Sequence, residues 1–337
     1  MNLVPPKYKI LYNNRDITAD ISDHLISLSY TDKVSGEADE FEMTVEDKDD
    51  LWKNEWYPDK NANVTCEIED NGAVLKCGNF QIDEPQFSFG ADGDITTIKG
   101  VSAYYSTALR TKKHSAHENK TLGEIARTIA AKHGLTVQGT IPEITIGRVT
   151  QHNKNDLAFL EGLANTYGYI FSVKGKIMVF TDITTLEKAS SILTLKKPDI
   201  ISCSITDKSA QTFKKASVKY HNPATREDIS YETSEDPDAS TDDTLSIRTK
   251  AENKQQAERI AKTNLYRKNS FQKEGSINLK GNTLLVSGIN FQLIGCGKLS
   301  ALYHVIESNH ALDRNAGYTT SLQIKQVGSV PTSLYKL

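Results

Sequence analysis

Between residues 7 and 105 the chain alternates apolar and polar side chains over six short runs: YKILYN, LISLSYTD, EFEMTVED, NVTCEIED, VLKCGNFQID and ITTIKGVSA. A period of two puts every second side chain on one face, so each run reads as a strand with one side buried. Turn formers separate them. Asn71-Gly72 stands between CEIED and AVLKC, where both central positions of a tight hairpin require positive φ, and Asp92-Gly93 marks a later turn. Six strands in succession predict a sandwich or small barrel over 1–105. DKDDLWKNEWYPDK interrupts them as an irregular crossover over one barrel end, and Trp52 and Trp56 there are lid packing in preference to a sugar-stacking pair.

The pattern changes near residue 106, where a module over 106–190 is expected. Thr121-x-x-Glu124 is a capping box, Gly134 is a stop, and Leu122, Ile125, Ile129 and Ala130 share a face, which predicts a helix near 121–133. ITIGRVTQHNK reads as a strand. Asn155 caps a second helix near 155–167, with Leu157, Leu160, Ala164 and Tyr167 as its apolar stripe and Gly168 as its end. YIFSV and KIMVF then form a hairpin over 169–180, turning at Lys174-Gly175.

Residues 191–337 return to strands in ILTLK, IISCSITDK, FKKASVKYHN, EGSINLKG, FQLIG, ALYHVIESNHAL and YTTSLQIKQV. One long helix near 250–268, with Ala257, Ile260, Ala261 and Leu265 on its apolar face, is expected to pack against them. EDISYETSEDPDASTDDT, which includes the acidic stretch 231–244, reads as a solvated loop, and SVPTSLYKL as a loose tail. The whole is an α+β chain, mainly β: two β-barrel-like domains flank a smaller α/β module.

Little in the sequence carries chemistry. Of 337 residues, 38% are hydrophobic and 25% charged, the balance of a globular surface, and the net charge of −3 lacks the basic footprint of a nucleic-acid partner. No run approaches the ~18 apolar residues of a spanning helix, and MNLVPPKYKILYNN shows no secretory pattern, so no membrane insertion is expected. Cys66, Cys77, Cys203 and Cys296 form no CxxC pair and are expected to be reduced, with a Cys66–Cys77 bridge left open. His114-x-x-His117 lies in a polar segment read as solvated loop rather than metal site, and His304 and His310 are assigned structural places. SEDPDASTDDT lacks the ligand spacing of a calcium loop. GxSxG, HExxH, GxxxxGK[ST] and GxGxxG are missing, and no acid is set in an apolar stretch that would raise its pKa. No catalytic, cofactor-binding or metal residue is assigned, no cofactor is expected, and the chain is not expected to be an enzyme.

Several stretches, in order, resemble one family. SGEADEFEMTVEDKD, NFQIDEPQFS, TLGEIARTIAAKHGL, TQHNKNDLAFLEGLANTYGYIFSVKGKIMVF and the run from KAENKQQAERIAKTNLYRKN to YTTSLQI are similar to the late control protein D family, baseplate hubs of contractile-tailed phages, tailocins and related injection systems. The acidic stretch 231–244 matches no feature of that family. The resemblance implies a structural hub: a homotrimer of two similar barrels per chain, adapting a six-fold tail tube to a three-fold central spike. It also implies tape-measure and baseplate wedge proteins as further partners, assembly in the bacterial cytoplasm and a place in the baseplate. A cell-wall-binding tail module, tested by pull-down on peptidoglycan, and a tail-borne lytic hydrolase, tested by zymography, are the alternatives.

Overall fold

The structure is a computed structural model, and it describes residues 5–91, 93–102, 111–141, 143–208, 212–222, 226–236, 239 and 241–329. In the first unit the strands are β1 (Lys7–Tyr12), β2 (Arg15–Asp16), β3 (Leu25–Lys33), β4 (Glu40–Glu46), β5 (Asn63–Asp70), β6 (Ala73–Ser88) and β7 (Ile95–Ser102), with a short helix α1 (Thr18–Ile21). Every run of alternation became a strand. Asn71 (φ 49°) and Gly72 (φ 81°) supply the turn between β5 and β6; of the later turn, residue 92 lies outside the described residues.

The middle of the chain holds β8 (Lys113–Thr121), α2 (Leu122–Lys132), β9 (Thr136–Gln138), β10 (Thr145–Lys154), α3 (Asp156–Tyr167), β11 (Tyr169–Lys174), β12 (Ile177–Asp182) and α4 (Ile183–Glu187). Thr121 Oγ1 accepts from Glu124 N at 3.1 Å while Glu124 Oε2 accepts from Thr121 N at 2.7 Å, so the capping box is complete. Asn155 caps α3 by accepting from Ala158 N at 2.7 Å, and Gly168 ends that helix at φ 82°. Adding a Cβ to Gly168 would bring it within 2.4 Å of Thr263, so both its conformation and the close approach of the long helix Lys254–Asn269 require glycine. The β11–β12 hairpin pairs Lys174 with Ile177, which shifts the turn by one residue to Gly175-Lys176. RTKKHSAHENK differs from the expected loop: Lys113–Thr121 is a strand, antiparallel to β10, because β10 offers it a hydrogen-bonding edge that local polarity does not reveal.

The last stretch comprises β13 (Leu193–Lys196), β14 (Ile200–Asp207), β15 (Lys215–Asn222), β16 (Glu227–Glu232), β17 (Thr244–Ile247), α5 (Lys254–Asn269), β18 (Lys273–Lys280), β19 (Asn290–Ile294), β20 (Ala301–Asp313) and β21 (Gly317–Ser329). The segment beginning EDISYE starts as strand, not loop: β16 pairs with β15, and Ile229 and Tyr231 pack on the middle core. Of the stretch 231–244, residues 237, 238 and 240 lie outside the described residues; the rest is fastened, with Asp236 N donating to Lys214 O at 2.7 Å and Lys214 paired to Asp242 at 2.7 Å. The tail residues 330–337 also lie outside the described residues.

The mainly β, α+β class expected from the sequence holds. Its two barrel-like units, however, are parts of one thirteen-stranded sheet whose main path runs β14-β18-β21-β20-β3-β4-β7-β6-β5-β1-β2 without closing. The link is β3 against β20, from Ser27↔Asp313 to Lys33↔Glu307. Three cores lie against this framework. One fills the first unit and takes in Leu312 and Tyr318 from the far end of the chain. Another fills the closing sheet around Phe291, Tyr303 and Ile324. The third joins α2, α3 and the β11–β12 hairpin to α5 and β15. The long helix thus buries Ala257, Ile260, Ala261 and Leu265 in the middle core rather than against the closing strands. Its apolar face was legible, but the surface it covers was not.

Candidate functional site

Two buried charge constellations sit where the three cores meet. At the first joint, residues 34–39 leave β3 and lie along β11: Gly36 N donates to Phe171 O at 3.1 Å, and Phe171 N donates to Ser35 Oγ at 3.2 Å. Beneath them Lys174 pairs with Asp32 and stands 3.5 Å from Asp39. Ser287 N, from the closing unit, donates to Asp32 Oδ2 at 2.7 Å, and Lys33 N donates to Asp39 Oδ1 at 3.0 Å. Two buried carboxylates therefore share one ammonium. Burial is the main force pushing the Asp39 carboxyl up, to about 6; Lys174 opposes it and the Asp32 charge adds to it.

At the second joint, Asn290, His304 and Lys325 form a row across β19, β20 and β21, since Asn290 is register partner to His304 and His304 to Lys325. Lys325 pairs with Glu187 of α4 at 2.6 Å, and Tyr266 of α5 donates to the same carboxylate. The Lys325 ammonium also lies 4.6 Å from the centre of the Phe271 ring. Asn290 Nδ2 donates to the carbonyls of Leu186, Glu187 and Ala189 at 3.0, 3.1 and 2.7 Å, and His304 Nδ1 donates to Asn290 Oδ1 at 2.7 Å. Burial first, and then the Lys325 charge, push His304 down to about 4, which keeps its ring neutral at pH 7. These four residues have the types of a catalytic cluster, but none is more than 2% exposed, so no substrate reaches them. Their chemistry is fastening: α4 and α5 are held to the closing sheet.

The residues singled out from the sequence fall elsewhere. Trp52 is buried and meets Trp56 edge-on with ring centres 5.5 Å apart; its backbone N–H donates to Asp47 Oδ1 at 2.9 Å. Both line an apolar cavity of about 250 Å³ with Tyr12 and Tyr57. His114 and His117 do not converge: His117 stacks on Phe159, ring centres 5.6 Å apart, and His114 meets His152. His310 is buried between Tyr318 Oη at 2.8 Å and Leu285 O at 3.1 Å, a structural place like that of His304. Cys66 and Cys77 are free and buried, and the hydrogen bond between them together with burial pushes the Cys77 thiol up. Among the described residues no group of three or more His, Cys, Asp or Glu could hold a metal ion, and no helix is long and apolar enough to cross a membrane.

The joints were not anticipated from the sequence. Lys325 carried the one local signal, a charge beside Ile324 where β21 should alternate and both are buried. Its partner Glu187 lies far away in sequence, in a short helix with no marked pattern.

Surfaces complete the picture. At one end of the main sheet β14 pairs with β18 alone among the described residues, and Ile201 on it is 68% exposed. Phe89, at the end of β6, is 75% exposed.

An open sheet threaded through both β units, with an α/β module braced between them, is a fold this chain shares with solved tail proteins. A tail protein from Neisseria meningitidis MC58 superposes with a TM-score of 0.74 at 12% identity, covering 96% of this chain and 97% of that one. The 43 kDa tail protein of prophage MuSo2 from Shewanella oneidensis gives 0.71 at 12% identity, covering 95% and 98%. In sequence, the chain is similar to the probable baseplate hub proteins of Escherichia phages 186 and P2, each 33% identical over 178 and 177 residues. Those matches take in 52% and 51% of this chain and 44% of each relative, so the chain spans less than half the length of the hub proteins it matches. No protein-family model matches. The resemblance to baseplate hub proteins read from the sequence therefore stands.

Proposed function

We propose that this chain is a non-enzymatic baseplate hub of a phage-type tail, working as a homotrimer that adapts a six-fold tube to a three-fold spike. The observation that carries the reading is the continuity of the main sheet through β3 and β20. Hydrogen bonds across that seam, reinforced at the two joints, make two β units into one rigid body with a set mutual angle. Three such bodies offer six β units to a tube on one side and three equivalent sites to a spike on the other. An exposed strand edge such as β14 is a liability in a lone chain and an asset where a neighbour covers it. The units at 1–105, 106–190 and 191–337 are kept in this reading, with α5 and β15 lent to the middle one. Tube, spike, tape-measure and wedge proteins are its partners, the cytoplasm is where it assembles, and the tail particle is its destination.

The test is the mass of the full chain in solution, by light scattering at micromolar concentration, alone and mixed with a central spike protein of the same particle. A trimer in either sample is expected. A stable monomer in both overturns the proposal.

A further inference from the structure

We propose that His114 and His152 form a bidentate chelate for a divalent transition cation of the Cu(II), Ni(II) or Zn(II) class, on the outer face of the β8–β10 ribbon. The two rings come from neighbouring antiparallel strands, 38 residues apart in sequence, and both are exposed. Their Nδ1 atoms stand 3.1 Å apart, with ring centres 4.7 Å apart. A metal with bonds of about 2.0–2.1 Å holds two nitrogens roughly 2.9 Å apart at right angles and roughly 3.3 Å apart at tetrahedral angles. The observed separation falls between those limits, so both lone pairs reach a common point with small side-chain rotations.

The backbone explains why the rings meet. Register shifts between Gln151 and Lys154, and Asn153 occupies the left-handed region at φ 48°. An irregularity of this kind re-aims the side chains beside it, and here it turns His152 across to His114. The next residues along the same face, Ala116 opposite Thr150, are short and leave room over the ring pair for a bound ion and its waters. Farther along, Arg148 and Glu118 pair with each other at 3.5 Å and leave the histidines to themselves. Two exposed imidazoles gain little from hydrogen-bonding each other when water is available. A shared cation gives their approach a purpose. His117, three residues from His114, faces the opposite side of the ribbon against Phe159 and takes no part.

The ribbon is a separate two-stranded sheet, and such sheets are marginal by themselves. A cross-strand chelate would staple it. The site depends on neither the trimer nor the hub role.

The experiment titrates the full chain with Cu(II), reading affinity by calorimetry and ligation by electron paramagnetic resonance. One tightest site per chain with two imidazole nitrogens is expected. His114→Ala and His152→Ala should each lose at least the ~10-fold that removing a mere supporting group costs at metal sites. His221→Ala, which removes an exposed histidine on β15, should leave that site unchanged. Hydrogen exchange of β8 and β10 amides should slow on adding the metal. Equal binding by the chain and by the His114→Ala/His152→Ala double variant overturns the proposal. Should a variant fail to fold, a resonance spectrum of the unaltered chain with fewer than two imidazole nitrogens overturns it as well.

Discussion

The two joints fasten the same middle module but are built on opposite charge balances. At the closing-sheet joint one ammonium, Lys325, meets one carboxylate, Glu187, in a place that is 2% exposed or less on both sides. At the first joint two carboxylates, Asp32 and Asp39, share Lys174, whose side chain is 35% exposed. The balanced pair is mechanical: breaking it leaves a bare buried charge, and solvent is too far away to help. The unbalanced one carries a surplus negative charge that a proton can neutralise. A rigid molecule can thus hold one interface fixed and leave the other responsive to its surroundings.

The largest expected effect breaks the balanced joint. Lys325→Met strands Glu187 and should destabilise the chain by about 3–5 kcal/mol, while adding Glu187→Met should restore most of that loss, because an apolar pair of similar volume replaces a buried ion pair at small cost. Urea unfolding of the single and double variants checks this. A double variant as unstable as the single one would mean that the row of Asn290 and His304, not the ion pair, holds α4 in place.

Next in size is the response to acid. His304 and His310 are both pushed down to about 4, chiefly by burial. A histidine whose folded pKa lies below its unfolded value near 6.5 contributes stability that is full above about 6.5 and is lost as pH falls towards 4. At pH 5 each should therefore forfeit about 2 kcal/mol relative to pH 7.5. The closing sheet should loosen first, seen as faster hydrogen exchange in β20 and β21. The double variant His304→Gln/His310→Gln should flatten the slope of stability against pH between 5 and 7. An unaltered slope would place the acid sensitivity elsewhere.

What could be read from the sequence divides along the same line. Strands β3 to β7 were legible because each is half buried, so alternation in EFEMTVED or NVTCEIED reports the fold directly. Helices α2 and α3 were legible from local signals, the Thr121–Glu124 box and the Asn155 cap. Strand β8 was not, because it is held by its pairing with β10, none of its residues is buried and nearly all are polar. The packing of α5 was not either: an apolar stripe states that something covers it, never what. Both joints rest on pairs such as Asp32 with Lys174, whose members become neighbours only once the sheet has threaded through β3 and β20. Charged residues at strand ends, such as Asp32 and Lys174, are ordinarily solvated, and nothing local marked these two as paired.

The smallest effect is the sharpest test of the contrast between joints. Asp39 has its folded pKa raised, to about 6, above the ordinary carboxylate value. Its contribution to stability is then complete below about 3.8 and is lost as pH rises through about 6, the reverse of the histidines. At pH 7.5 the ionised Asp39 is held beside Asp32 against its preference. Asp39→Asn keeps an oxygen to accept from Lys33 N and removes the surplus charge, so its effect on stability should be about 1.4 kcal/mol more favourable at pH 7.5 than at pH 5. Asp32→Asn should destabilise at both values, because Asp32 takes the Lys174 ion pair and the Ser287 N–H. Urea midpoints at the two pH values decide the matter. If Asp39→Asn destabilises equally at both, Asp39 is a working partner of Lys174 and the two joints are alike.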